Sequence, residues 1–255
     1  MLLGMSSEPV TIVGSYLSPY VRKVLVCLHV KGVPYQIDPI VPFYGDERFA
    51  RLSPLRRIPV LIDGDVTLSD STVICEYLEE RFPAPAFYPR GAAARARARW
   101  LEEFADTRMG DVFIWQLFDQ VAIGPAVWGE KTDREKLAHT LAVEVPAVID
   151  YLEAELPAAA FLFGDALGIA DAALAAFFRN AAFARFTPDA ARWPCTAGFV
   201  ARVLASEPFA RLAPFEDAAI RTPIAEQRRV LGELGAPLTA ESFATATPRR
   251  GVMRV

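Results

Sequence analysis

Over the first eighty residues the spacing of apolar positions changes period several times. Val10-Thr11-Ile12-Val13 is a short apolar run that reads as a buried strand. From Pro19 the apolar residues Val21, Val24, Leu25 and Leu28 recur at helical spacing until Gly32, which predicts a helix closed by a glycine. Tyr35-Gln36-Ile37-Asp38 alternates and stops at Pro39, a second strand, so the first forty residues predict a βαβ unit with parallel strands. Residues 46–53 fit one short helix. Val60-Leu61-Ile62 and Val66-Thr67-Leu68 flank the turn pair Asp63-Gly64 and predict a hairpin. A helix from Ser71 then carries Val73, Ile74, Tyr77 and Leu78 on one face until Pro83 stops it, and the order becomes βαβ-α-ββα.

Pro83–Gly91, "PAPAFYPRG", breaks every period with three prolines and a glycine, and reads as a linker. Beyond it the pattern is helical: Ala92 to about Val121, Arg134 to about Leu156, and the apolar stretch from Ile169 to about Phe183. The last is apolar nearly all round, which predicts a helix at the centre of its domain. It follows "GDALGIAD", with Gly168 at the N-cap and Asp171 placed to accept from first-turn amides. The fold class expected is α/β followed by all-α: a domain over 8–83, a linker over 84–91, a helical domain over 92–220 and an extension over 221–255. Within the extension Ile224 to Leu234 has a short helical pattern, broken by Gly235 and Pro237. Small polar residues fit a frayed terminus, while Phe243, Val252 and Met253 offer apolar anchors for a tail that packs back.

With 53% hydrophobic and 23% charged residues in 255, the chain has the balance of a soluble globular protein. A net charge of −4 leaves no surplus of Lys and Arg for phosphates, so nucleic acid is not expected as a partner. Cys27, Cys75 and Cys195 are far apart, odd in number and without a CxxC, and His29 and His139 lack ligand spacing. Neither a disulfide framework nor a metal is expected, and a reducing, cytoplasmic setting fits. The start "MLLGMSSEPV" has no basic region and no adequate apolar run, and no stretch elsewhere has the ~18 apolar residues of a membrane span.

Candidate chemistry concentrates in "GSYLSPYVRK", residues 14–23, where Ser18-Pro19 stands at the predicted helix start. Serine at the N-cap with proline at the first helical position is a common structural opening. The same placement aims backbone N–H groups and the positive helix end at any bound anion. Three motifs together carry a family resemblance: "SPYVRK", the stretch "RRIPVLIDGDVTLSDS" from Arg56 to Ser71, and "GDALGIAD". With the βαβ-α-ββα order and the Pro-rich linker, the chain resembles the cytosolic glutathione transferases, of the serine type found in tau- and zeta-like members. It departs at Gly168, where Ser or Thr is usual. Omega-type relatives carry Cys where Ser18 stands, and Ser18 argues for thiol activation over thiol transfer.

The resemblance implies a thioredoxin-like first domain that binds glutathione as co-substrate, and a helical second domain that faces a small, largely apolar electrophile. It implies a cis Ile58-Pro59 bond, with the Ile58 backbone pairing with the cysteinyl unit like an added strand. Asp70 then accepts from the γ-glutamyl ammonium, Ser71 holds that residue's carboxylate, and Arg57, with Arg56 as its rival, meets the glycyl end. Ser18 donates to the thiolate, and Tyr16 is the rival donor. Tyr20 and Arg22 are secondary candidates, Arg22 as a source of positive potential. Met109 and Phe113 are candidate walls of the electrophile pocket, although aromatic residues at helical spacing are more often core. The activity implied is a transferase of alkyl or aryl groups, with detoxification as its setting. Its alternatives are a glutathione-dependent isomerase or dehalogenase, and a non-catalytic protein-interaction module. A homodimer is implied, without membrane or nucleic-acid partners, and the tail is expected to trim the electrophile pocket.

Overall fold

The computed structural model describes residues 8–157 and 159–250 of the chain. Four short strands, β1 (Val10–Val13), β2 (Tyr35–Asp38), β3 (Val60–Asp63) and β4 (Val66–Ser69), form one sheet in the order β2-β1-β3-β4. β1 and β2 are parallel, with Ile12 opposite Ile37, and β3 runs antiparallel to β1 and β4. The parallel pair requires a crossover, which α1 (Pro19–Lys31) supplies. Val21, Val24, Leu25 and Leu28, the residues whose spacing predicts this helix, are all fully buried, and Gly32 ends it at φ +65°. α2 (Glu47–Leu52) and α3 (Ser71–Arg81) complete the predicted βαβ-α-ββα order. One turn at Pro42–Tyr44, too short to leave a period in the sequence, precedes α2.

The rest is helical. α4 (Ala92–Phe104) runs on without a break into Ala105–Trp128, which is wound in wider turns. This rod outruns the expected end near Val121, because the wider winding carries the chain through Gly124 and Pro125. Gly129 then closes it by donating its N–H to the carbonyls of both. α5 (Arg134–His139), a wide turn over Thr140–Glu144 and α6 (Val145–Glu155) are likewise continuous. α7 (Ile169–Phe183) is the predicted central helix, with twelve of its fifteen residues buried. Its alanines let α1, α4 and the 105–128 segment all pack against it. Asp171 accepts from the N–H groups of Gly168 at 3.0 Å and Leu162 at 2.9 Å, so the cap works through the acidic partner alone, glycine having no side chain to reciprocate. α8 (Pro194–Leu204) and α9 (Glu207–Arg221) complete the helical domain, each opening with a proline in its first turn.

α10 (Ile224–Glu233) matches the helical pattern of the extension. After it the chain turns back over the sheet domain. Ile37 N–H donates to the Pro237 carbonyl at 2.7 Å and Thr239 N–H to the Ile37 carbonyl at 3.1 Å, so the tail covers the outer edge of β2. Phe243 packs on the core as an anchor; Val252 and Met253 lie outside the described residues. No helix among the described residues is long and apolar enough to cross a membrane.

Candidate active site at the head of the first helix

A cleft of about 570 Å³ opens between the sheet domain and the helices, with Ser18 on its wall. Ser18 is the N-cap of α1, at φ −79° and ψ 126°, and its Oγ accepts from Val21 N–H at 3.3 Å. That bond uses a lone pair of the hydroxyl oxygen and leaves its proton free to donate elsewhere. Within the same turn Pro19 has no N–H, Val21 N–H is taken by Ser18 Oγ and Arg22 N–H by the Ser18 carbonyl, which leaves the Tyr20 N–H uncommitted among the described residues. The half-buried hydroxyl and one backbone N–H thus share the positive end of a thirteen-residue helix.

Ile58 lies on the same wall, and the Ile58-Pro59 peptide is cis, as the resemblance implies. Its approach to α1 depends on Gly14. A Cβ there would stand 2.5 Å from Val21 Cγ2 and 3.1 Å from Ile58 Cβ, and Gly14 has φ +152°. Ser53 ties the neighbouring loop, its Oγ accepting from Arg57 N–H and donating to the Arg57 carbonyl, each at 2.9 Å. The Arg57 side chain is exposed, whereas Arg56 is half-buried with Glu47 at 3.7 Å. Asp70, at φ +96°, caps α3 by accepting from Thr72 N–H at 2.9 Å and Val73 N–H at 3.3 Å through one oxygen. Its exposed carboxylate and the buried Ser71 sit side by side at the helix start. Arg57 and Asp70 both act electrostatically on Tyr20, although neither they nor Ser71 line the cleft.

Tyr20 is on the cleft wall, but its hydroxyl donates to the Asp106 carbonyl at 2.9 Å. Burial first, then the Asp106 charge, push its pKa up and keep it neutral. Gly110 makes room for this bond, since a Cβ there would meet the Tyr20 oxygen at 2.5 Å. Tyr16 is placed differently from the donor role considered for it. It is 1% exposed, stacks near Phe215 and does not line the cleft. Burial and the neighbouring Tyr35 push its pKa far up, so its proton is held tightly.

Arg22 departs from its expected role as a source of potential at the site. It is fully buried and bonded to Glu216 of α9, to Asn180 Oδ1 at 2.7 Å and to the Ala176 carbonyl of α7 at 2.6 Å. The Glu216 carboxylate cancels its charge locally, and it acts as a staple between α1 and two helices of the second domain. Lys23 does the same toward α4, with Glu102 at 2.8 Å and Asp106 at 2.6 Å. Asn180, through Nδ2, also donates to the Leu17 carbonyl at 2.8 Å and so steadies the loop before Ser18. The sequence reading missed it, though Arg179-Asn180 is the one polar pair in α7 after Asp171.

Met109 and Phe113 do not form the second wall. Both are fully buried in the helical core, where Phe113 packs on Phe178 at 5.3 Å. The residues that reach the cleft are one turn further on and beyond: Ile114, Trp115, Phe118 and the stretch 121–127, joined by Phe183 and the 219–224 corner. Among the described residues no group of three His, Cys, Asp or Glu side chains is arranged to hold a metal.

Residues 12–86 match the glutathione S-transferase N-terminal domain and residues 114–207 the glutathione S-transferase C-terminal domain. The chain belongs to the glutathione S-transferase family. It is similar to a stringent starvation protein A homolog of Haemophilus ducreyi, 41% identical over 80 residues, which cover 31% of this chain and 37% of that protein. It is similar to human glutathione S-transferase theta-1, 31% identical over 160 residues, 61% of this chain and 66% of that one. A solved glutathione S-transferase from Rhodospirillum rubrum superposes with a TM-score of 0.73 at 27% identity, covering 80% of this chain and 91% of that chain. The chain spans about half the length of other curated relatives it matches, 48% of one and 55% of another. In this transferase-family chain, the first matched region contains Ser18, Ile58 and Asp70.

Proposed function

We propose that the chain is a glutathione transferase of the alkyl- or aryl-transferring kind, in which Ser18 activates the thiol of glutathione for attack on a small apolar electrophile. A free thiol has a pKa of about 8.5 and is mostly protonated at neutral pH. A hydroxyl proton, an uncommitted Tyr20 N–H and a helix N-terminus on one wall favour the anion over the neutral thiol. In this reading serine is the donor and never the nucleophile. The Ile58 backbone, with Pro59 beside it, aligns the tripeptide. Asp70 accepts from the γ-glutamyl ammonium, Ser71 holds the adjacent carboxylate, and Arg57 meets the glycyl end. The electrophile then lies over the sulfur against the apolar second wall. The observation that carries the reading is the placement of Ser18: it lines an apolar cleft that Ile58 shares, and its Oγ acts in the cap only as an acceptor.

The protein is read as a homodimer working in the cytoplasm, with residues 8–83 as the glutathione-binding domain, 92–220 as the helical domain and 221–255 as an extension. Light scattering at working concentration is expected to give twice the chain mass, and a monomer contradicts that part. Retention on immobilised glutathione, elution by the free tripeptide and conjugation of an aryl halide are the expected results for the activity. A protein that binds no glutathione overturns the proposal.

A further inference from the structure

Beyond the cleft and its donor, the segment that follows α10 makes a set of contacts that the proposed activity does not use. Asp38 ends β2 with a fully buried side chain. Its Oδ1 accepts from Ser242 Oγ at 2.8 Å and Arg228 Nη1 at 2.9 Å, and its Oδ2 from Phe243 N–H at 2.7 Å. All three donors come from the extension. A buried carboxylate without such partners is strongly disfavoured, so the tail and the strand end are tied to each other. Further along, Asp46 N–H donates to the Phe243 carbonyl at 2.8 Å, Thr245 N–H to the Tyr44 carbonyl at 2.6 Å and Arg249 N–H to the Phe43 carbonyl at 2.9 Å.

Between Asp38 and Asp46 lie Val41, Pro42 and Phe43, which line the cleft. Phe43 does not belong to the main core. It packs edge-on against Trp128 at 5.3 Å and with Val127 in a separate cluster that includes Trp115 and Ile224. This side of the cleft is therefore held by the strap at residues 43–46 together with the packing of Phe43 on Val127 and Trp128. Among the described residues the cleft wall also carries no carboxylate, lysine, arginine or histidine. Its two amides are occupied: Asn180 donates to the Leu17 carbonyl, and Gln227 to the carbonyls of Ala219 and Thr222. Away from Ser18 and the head of α1, an uncharged, apolar ligand fits such a wall better than a charged one.

We infer that residues 236–249 form a specificity strap: anchored on Asp38, it holds Val41, Pro42 and Phe43 in place and thereby sets the affinity of the cleft for an uncharged apolar substrate. Asp38 is a positioning residue in this account and touches no reacting atom. The inference rests on the proposed function only where substrate turnover is read; the binding of a neutral dye reads the same wall without it.

The test compares the full chain with a deletion of 236–255, with Ser242→Ala and with Thr196→Ala. The last removes a buried hydroxyl that bonds Glu153 on the far side of the helical domain, and serves as a stability control. Three quantities are measured: amide exchange at Ile37 and Asp46, the Kd for the neutral dye Nile red, and the separate KM values for glutathione and an aryl halide. The deletion is expected to expose both amides. It should weaken Nile red binding and raise the aryl halide KM about five- to tenfold, while the glutathione KM stays within about twofold. Ser242→Ala should move the same two readouts about two- to threefold in the same direction, and it decides the matter if the deletion does not fold. Thr196→Ala should lower Tm with no change in dye affinity. Dye affinity unchanged in folded strap variants overturns the inference, as does an equal rise in both KM values. Absence of any conjugation by the full chain overturns the proposed function instead, and the dye then still decides on the strap.

Discussion

Ser18 reaches the cleft from a turn held by bonds between near neighbours, whereas Ile114, Phe183 and Ile224 reach it from three separate helices. On the first wall, Ser15 accepts from Leu17 N–H through its Oγ and from Ser18 N–H through its carbonyl, and Ser18 caps Val21, so the turn that presents Ser18 follows from residues two or three apart. On the second wall no residue is placed by its neighbours in sequence. Each depends on how helices pack, the 105–128 segment on α7 and α10 on α9, and on the staples of Arg22, Lys23 and Asn180 that set the two domains against each other. Polar chemistry that is positioned by caps and turns is thus a local property of the chain, and an apolar pocket is a property of the packed whole.

The comparison breaks most severely at Arg22. Arg22→Met leaves Glu216 buried beside Arg179 alone and should cost ~3–5 kcal/mol in urea denaturation. A loss below about 1 kcal/mol means that the two walls are held together by apolar packing and not by this staple. Next comes Asp171 under the central helix. Burial raises its pKa from 3.8 to about 6 despite the two backbone bonds it accepts. Between those values the folded chain holds a proton that the unfolded chain has released, so stability falls as pH rises from about 4 to about 6 and is level above. Asp171→Asn should remove up to ~3 kcal/mol of that slope. Identical slopes in both proteins contradict a raised value.

The difference between the walls also explains how far the sequence could be read. The four strands, α1, α3 and α7 were legible because their periods are clean and their ends carry Gly32, Pro83 and Gly168. The first wall was legible because Ser18-Pro19 and Asp70-Ser71 are caps, and caps are read from neighbouring residues. Met109 and Phe113 were placed on the second wall because their helix was recognised but its rotation was not, and the cleft takes Ile114, Trp115 and Phe118 instead. Asn180 and Asp38 were invisible as positioning groups, since their partners are Arg22 and Ser242, far away along the chain. Arg22 was read as a local source of charge because nothing near it in sequence announces Glu216.

Two smaller effects sharpen the same contrast. Asp70→Asn or Ser71→Ala should weaken glutathione binding by about 1.5–3 kcal/mol in calorimetry with little change in Tm, because the ligand completes those contacts and Asn retains the cap. Equal affinity in the variants removes both from the binding site. Phe183→Leu should raise the KM for an aryl halide by about 1 kcal/mol, while Met109→Leu in the core leaves it unchanged. A shift with Met109→Leu equal to that with Phe183→Leu contradicts the placement of the second wall.

The central claim, that Ser18 is both cap and thiol activator, is tested most directly by titrating the ultraviolet absorbance of the thiolate of bound glutathione. The account predicts a pKa at least about one unit below the free value of about 8.5 in the unaltered chain, and the loss of most of that shift in Ser18→Ala while the tripeptide stays bound. The same low pKa in Ser18→Ala assigns the activation to the helix N-terminus or to another donor, and contradicts the role given to the hydroxyl.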